Sequence, residues 1–280
     1  MTISESKARK IKINFNERFA FGENWMKFIR EIDERHIIQA ENSLKEMLEI
    51  QHLNGRTFLD VGCGSGLFSL AAKRLGAIVF SFDCDPKSVA CAQELKKRYF
   101  ENDNEWTIDL GSVLDSKYLK DLGKFDIVYS WGVLHHTGNM YSALKNVILN
   151  VEVKGKLFIA LYNDQGRQSK LWWKIKKFYV TQPKILRWIV IVPAYIKLWG
   201  PATIRDLILL RPFSTWNAYR KNRGMSPHID VIDWIGGFPF EVSKPEEIFS
   251  FYKNLGFNLC VLKTIAGGHG CNQFVFQKNN

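Results

Sequence analysis

Three glycines, Gly62, Gly64 and Gly66, separate the apolar stretch that ends in Leu59-Asp60-Val61 from a helix-like run beginning near Leu67. A strand that runs into a glycine turn and then into a helix is the unit on which open α/β sheets carry nucleotide-type ligands, and it confines the chain to that class. A second apolar stretch, Ala77 to Phe82, ends in Asp83, seventeen positions after Gly66, with Asp85 close behind. An acid at that strand end is placed to take the two hydroxyls of a ribose. The glycine loop alone is a weak signal, because any tight turn accommodates glycine. With the strand before it, the helix after it and the acid beyond, it points to an adenosine-containing ligand.

The glycine spacing separates two ligands of that kind. A dinucleotide fingerprint reads G-x-G-x-x-G and sets a pyrophosphate on the helix N-terminus. Here the third glycine comes one residue early, and Asp60 lies just before the turn. That pattern resembles the S-adenosylmethionine (AdoMet) site of class I methyltransferases, a ligand with no phosphate. The resemblance implies that Gly62, Gly64 and Gly66 admit the amino-acid end of AdoMet without Cβ clashes and that Asp60 accepts from its ammonium group. It likewise implies Asp83 for the ribose, Ser112 and Val113 beside the adenine, and Ser130, Trp131 and Gly132 toward the sulfonium. The family often has an acid where Ser112 stands.

The similarity extends along the chain. Leu59 to Gly66, Ser81-Phe82-Asp83-Cys84-Asp85-Pro86 and Tyr129-Ser130-Trp131-Gly132-Val133-Leu134-His135-His136-Thr137 resemble the ubiquinone-biosynthesis type of methyltransferase. Outside that core, Phe21 to Trp25, Tyr162 to Gly166 and Asp233 to Glu241 resemble a bacterial subfamily that these motifs tie to no single acceptor.

Apolar residues at Trp25, Phe28, Ile29, Ile32 and at Ile37, Ala40, Leu44, Met47, Leu48 recur at helical spacing and predict helices before the sheet. Asp85-Pro86 opens a helix to about Arg98, with Pro86 at its first position. Further strands are expected at Trp106–Leu110, Phe125–Ser130 and Lys156–Tyr162. A helix at Pro245–Leu255 then precedes strands at Phe257–Ile265 and Asn272–Gln277, joined by a glycine-rich loop. Strands so close must pair antiparallel, since a parallel return needs a crossover of about a dozen residues. The expected fold is α/β: a Rossmann-like seven-stranded sheet, mostly parallel with one antiparallel strand near the edge, plus N-terminal helices and a helical insert. The domain reading is an N-terminal helical cap (1–55), an AdoMet-binding core (56–164), an insert (165–244) and a closing helix and hairpin (245–280).

At 280 residues, with 46% hydrophobic and 24% charged residues, the chain is globular and not disordered. Five cysteines, odd in number and without a C-x-x-C pair, suggest neither a disulfide framework nor a zinc site, and no metal is expected. A cytoplasmic location follows, and the polar, basic Met1–Lys12 does not read as a signal peptide.

The net charge of +11 is concentrated in one segment. Residues 165–224 hold thirteen Lys or Arg against one acid, Asp206, while the rest is close to neutral. The same segment carries Trp172, Trp173, Trp188, Trp199 and Trp216. Its apolar run, Ile185–Gly200, is broken by Arg187, Pro193 and Lys197 and reads as too short to cross a bilayer, which takes about twenty apolar residues. Peripheral contact with the inner membrane surface through 165–224 fits basic and aromatic helices, as does a plain solvated lid.

Methyl transfer needs an acceptor lone pair at near-attack distance, and a hydroxyl acceptor profits from a base. His135 and His136 follow the fourth strand, where such a base belongs; either also fits a role as helix cap or pocket wall. Candidate acceptor contacts are Trp25, Tyr162, Asn163, His228 and Glu241, with core packing the alternative for Trp25 and loop hydrogen bonds for His228 and Glu241. Three functions are consistent with these residues: a methyltransferase for a small-molecule or lipid-linked acceptor, transferring to oxygen; an RNA-modifying methyltransferase, although no nucleic-acid-binding module is appended; and a non-catalytic AdoMet-binding protein.

Overall fold

A computed structural model describes residues 19–279, apart from 224–226, 267 and 269. The Met1–Lys12 stretch and part of the expected 266–270 loop fall outside the described residues.

Seven strands form one sheet: β1 (Thr57–Val61), β2 (Ile78–Asp83), β3 (Trp106–Leu110), β4 (Phe125–Trp131), β5 (Val151–Tyr162), β6 (Phe257–Lys263) and β7 (Cys271–Lys278). Their order is β3-β2-β1-β4-β5-β7-β6, and β7 alone runs antiparallel to both neighbours. The expected architecture is met. The central strands are apolar on both faces, with Phe58, Leu59 and Val61 fully buried, because helices cover both sides. One face packs against α2 (Glu34–Leu48), α3 (Leu67–Arg74) and α4 (Pro86–Phe100) through Leu44, Leu70, Cys91 and Leu95. The other packs against α5 (Ser116–Leu122), α6 (Met140–Val147) and α11 (Pro245–Lys253) through Leu119, Leu144 and Ile248. β5 begins earlier than the apolar pattern predicts, because a register shift against β4 lets Val151 pair with Phe125.

The strand order reverses direction at β1, with β2 on one side and β4 on the other, so the ends of these strands frame the crevice. A short helix, α1 (Phe21–Phe28), lies across α4 at this end. Its Gly22 N–H donates to Asp85 Oδ2 at 3.0 Å while Asp85 Oδ1 accepts from Lys87 N–H, so one carboxylate caps α4 and fastens α1.

Between β5 and α11 the chain forms α7 (Arg167–Thr181), α8 (Trp188–Ile208), α9 (Ser214–Arg223) and α10 (Pro227–Gly236). They build a small core of their own around Tyr179, Ala194, Val231 and Ile235. Here one expectation is corrected. The run read as too short and too broken is a single 21-residue helix that passes through Pro193 and Pro201. Residues Lys184–Ile208 are long and apolar enough to cross a membrane by length and composition. Each proline removes one backbone hydrogen bond, but packing on one side, through buried Ala194, holds the segment helical past Gly200.

Candidate active site

The turn after β1 shows why its glycines are needed. Gly62 (φ 78°) donates its N–H to Phe82 O at 2.8 Å, and a Cβ there would stand 2.4 Å from Val133 Cγ1. Gly64 (φ 54°) donates to Asp83 Oδ2 at 3.0 Å, and a Cβ there would meet the Trp25 indole at 3.0 Å. Both positions require a left-handed backbone and the absence of a side chain at once. Gly66 caps the N-terminus of α3.

Two carboxylates lie under this loop. Asp60 is buried and accepts from Ser69 Oγ at 2.5 Å; Ser69 in turn meets Ser81 Oγ, which accepts from Trp106 Nε1 at 3.0 Å. The relay fixes the Asp60 carboxyl from below. Burial lifts its pKa to about 7 against the Ser69 hydrogen bond, and the charge of Asp83 pushes the same way. Asp83 accepts from Gly64 N–H and from Asp85 N–H, and burial lifts it to about 6. Two carboxyls that burial drives toward neutrality, aimed at a glycine loop, suit a ligand bearing a positive charge.

The other predicted positions lie along the same strand ends. Ser112 is buried and its Oγ accepts from Leu114 N–H, shaping the turn after β3, with Val113 buried beside it. Ser130 is buried and its Oγ donates to Val61 O at 3.0 Å, so it ties β4 to β1, while Trp131 stays exposed.

Beyond Val133, the segment Leu134–His136 forms a single 3₁₀ turn that sets the two histidines differently. His135 is fully buried, and its Nδ1 accepts from Tyr162 N–H at 3.3 Å, which leaves the ring proton on Nε2. Burial holds its pKa well below the ordinary value. His136 Nδ1 lies 2.6 Å from Pro239 O. A carbonyl only accepts, so Nδ1 carries the proton and Nε2 the lone pair. The two rings therefore take opposite tautomers.

Tyr162, at the end of β5, lies against His135 with ring centroids 3.9 Å apart and the rings tilted by 38°, and packs against Trp234 and Phe240. Asn163 Oδ1 accepts from Asn272 Nδ2, knitting β5 to the hairpin. Both oxygens of Glu241 accept from Met140 N–H, so this carboxylate caps α6 from a distant segment. His228 is exposed and its Nδ1 meets Tyr195 OH on α8, away from the histidine pair. Trp25 lies over the donor loop and is also packed against the adjacent core.

Residues that sequence reasoning passed over complete this end of the site. Lys176, on α7, is fully buried, with its Nζ donating to Trp234 O and standing 4.2 Å over the Trp234 ring and 4.8 Å over that of Phe240. The carbonyl belongs to the last turn of α10, where the helix dipole favours a cation, yet burial pulls the lysine down to about 7. Asp233, beside Trp234, is lifted to about 7 by burial and accepts from Asn24 Nδ2 of α1. Trp172 packs edge-on against Trp234 and lines a cavity of about 440 Å³ between α7 and α8, together with Phe178, Ile189 and Pro193. Among thirteen basic residues in that segment nothing in the spacing marks Lys176; the Asp233–Glu241 motif was the available signal.

Comparison with known proteins agrees with this geometry. A family model described as "Methyltransferase domain" matches residues 59–159. The ubiquinone biosynthesis O-methyltransferase of Coxiella burnetii (strain RSA 493 / Nine Mile phase I) is 28% identical over 164 residues, which cover 58% of this chain and 66% of that relative. The enzyme of the same name from Pelagibacter ubique is 32% identical over 105 residues, 38% of this chain and 41% of the relative. In fold, the chain is similar to magnesium protoporphyrin IX methyltransferase from Synechocystis PCC 6803, solved with bound SAM, with a TM-score of 0.55 and 13% identity over 99% of this chain and 100% of that one. The residues present fit AdoMet: Asp60 can offset an ammonium, Asp83 can accept from a diol, and at Gly132 even a Cβ would meet nothing within 4 Å. The expectation raised by the loop motif is thus met by strand order, by chemistry and by the methyltransferase-domain match over residues 59–159, and the chain resembles the class I S-adenosylmethionine-dependent methyltransferases.

Proposed function

We propose that this chain methylates a hydroxyl oxygen of a small-molecule or lipid-linked acceptor in the cytoplasm, with His136 as the base. AdoMet, when bound, supplies an electrophilic methyl group. The protein's part is to hold the acceptor and take its proton. The observation that carries this reading is the His136 Nδ1 contact with Pro239 O, which leaves a lone pair on Nε2. Val133, three residues earlier, touches the donor loop, so this histidine belongs to the segment that joins donor to acceptor. His135, with its proton on Nε2, serves as a neutral donor and wall. Tyr162, Trp234 and Phe240 offer an aromatic surface beside it, and the cavity behind Trp172 supports an acceptor with a hydrocarbon tail. The naming of the Coxiella relative as an O-methyltransferase is consistent with an oxygen acceptor.

The test is to incubate the full chain with methyl-labelled AdoMet and bacterial lipid, small-molecule and RNA fractions and to identify the product by mass spectrometry. On that acceptor, His136→Ala is expected to lower kcat by about 10²–10⁴ and to keep AdoMet affinity. An unchanged kcat refutes the base. Label found in RNA alone moves the acceptor to nucleic acid, and AdoMet binding with no labelled product in any fraction favours a non-catalytic protein.

A further inference from the structure

We infer that the outer face of α8 and the loop after it form a docking surface for an anionic lipid bilayer, lying in the plane of the interface and not crossing it. One stripe of the helix, Val192, Ile196, Ile204 and Leu207, is exposed along its length, with Ile196 at 67%. These residues recur at helical intervals on one side, while Ala194, Val190 and Leu198 on the opposite side pack into the core of the insert. The helix therefore has a protein side and an apolar free side. Its other properties argue against a span: Lys197 sits mid-helix with Nζ over the Trp172 ring, and one face stays committed to α10.

The loop carries the same signature. Leu210 is 89% exposed and Phe213 62%, and both adopt a left-handed backbone, φ 52° and 60°, that non-glycine residues seldom take. The turn holds two large apolar side chains outward. Leu207, Ile208 and Leu209 are exposed as well, and Arg205 and Arg211 flank them.

Charge decides the occupant. The single acid of 165–224, Asp206, is buried; its two oxygens accept from Thr215 N–H and Oγ1, and its Oδ1 lies 3.7 Å from Arg205 Nη2, so within this surface it offsets Arg205 alone and leaves the other basic residues uncompensated by it. Two copies face to face would bring like charges together. RNA answers the charge, but between Trp188 at one end and Phe213 at the other the exposed stripe is Ile, Val and Leu, which offers no run of rings on which successive bases stack. Aliphatic side chains flanked by Lys and Arg, with Trp188 exposed at one end, match hydrocarbon beneath anionic headgroups.

The experiment is co-sedimentation of the full chain with phosphatidylcholine vesicles, with and without phosphatidylglycerol, at low and high salt. Binding to the anionic vesicles that weakens with salt is expected. Ile196→Glu with Leu210→Glu should reduce the partition at least about tenfold, and Arg211→Gln about fivefold. Melting temperature and AdoMet affinity, both unchanged, certify the fold of the variants. No binding to anionic vesicles, or equal binding by the Glu variant, overturns the proposal. So does a dimer in light scattering that the Glu variant abolishes while vesicles are ignored, which makes the face a contact between copies. Vesicle binding does not depend on methyl transfer, so failure of one leaves the other standing.

Discussion

Replacing Gly62 by Ala separates two costs that the donor loop imposes together. The φ of 78° places an Ala in the left-handed region, at about 1–2 kcal/mol. Its Cβ would also stand 2.4 Å from Val133 Cγ1 and 2.8 Å from Cγ2, an overlap that must be relieved by moving the loop or Val133, at about 1–3 kcal/mol. The sum is a loss of about 2–5 kcal/mol in unfolding free energy, read by urea denaturation. Val133→Ala removes both γ-methyls, so the double variant Gly62→Ala/Val133→Ala should recover the contact part and leave the backbone part. The double-mutant coupling should therefore be about 1–3 kcal/mol in the favourable direction. AdoMet affinity by calorimetry should fall in the single variant, since moving the turn shifts Gly64 N–H from Asp83. A single variant within about 0.5 kcal/mol of the parent, or a coupling near zero, refutes the reasoning.

Asp83→Ala should abolish AdoMet binding with a preserved circular dichroism spectrum; unchanged affinity in the calorimeter removes that carboxylate from the site. Asp60 has a folded pKa raised to about 7, so stability present when it is protonated is lost as pH rises through that value. In the absence of AdoMet, Asp60→Asn should therefore melt progressively higher than the parent between pH 5 and 8, and a pH-independent difference contradicts the burial argument. Lys176 titrates in the folded state near 7, so the stability it contributes when neutral is lost as pH falls through that value. Lys176→Met, which fills similar volume without the charge, should match or exceed the parent in thermal scans, with its advantage growing as pH falls toward 7. A large loss at every pH would show the ammonium to be a net stabiliser.

The sheet and the donor half of the candidate site were legible because their signals are local. Asp60, the glycines and Asp83 fall within 24 residues of chain, and strand ends place them without knowledge of distant contacts. The proposed acceptor half was not, because its contacts are remote in sequence. Glu241 reads as a polar loop residue until α6 is seen to lack a cap of its own. His135 and His136 look equivalent until Tyr162 N–H and Pro239 O assign opposite tautomers, and those partners lie 27 and 103 residues away. Lys176 is one lysine among many until α10 folds over it. The continuity of α8 was misjudged for a different reason: prolines weaken a helix locally, but whether it persists is decided by tertiary packing on its buried side.

The short helix α1 spans the two halves. Its first turn is held by Asp85, its Trp25 leans on Gly64, and its Asn24 is bound to Asp233, next to the carbonyl that receives Lys176. The glycine turn after β1 and the aromatic cluster around Trp234 are thus hinged on eight residues, and neither can be displaced without tugging on the other.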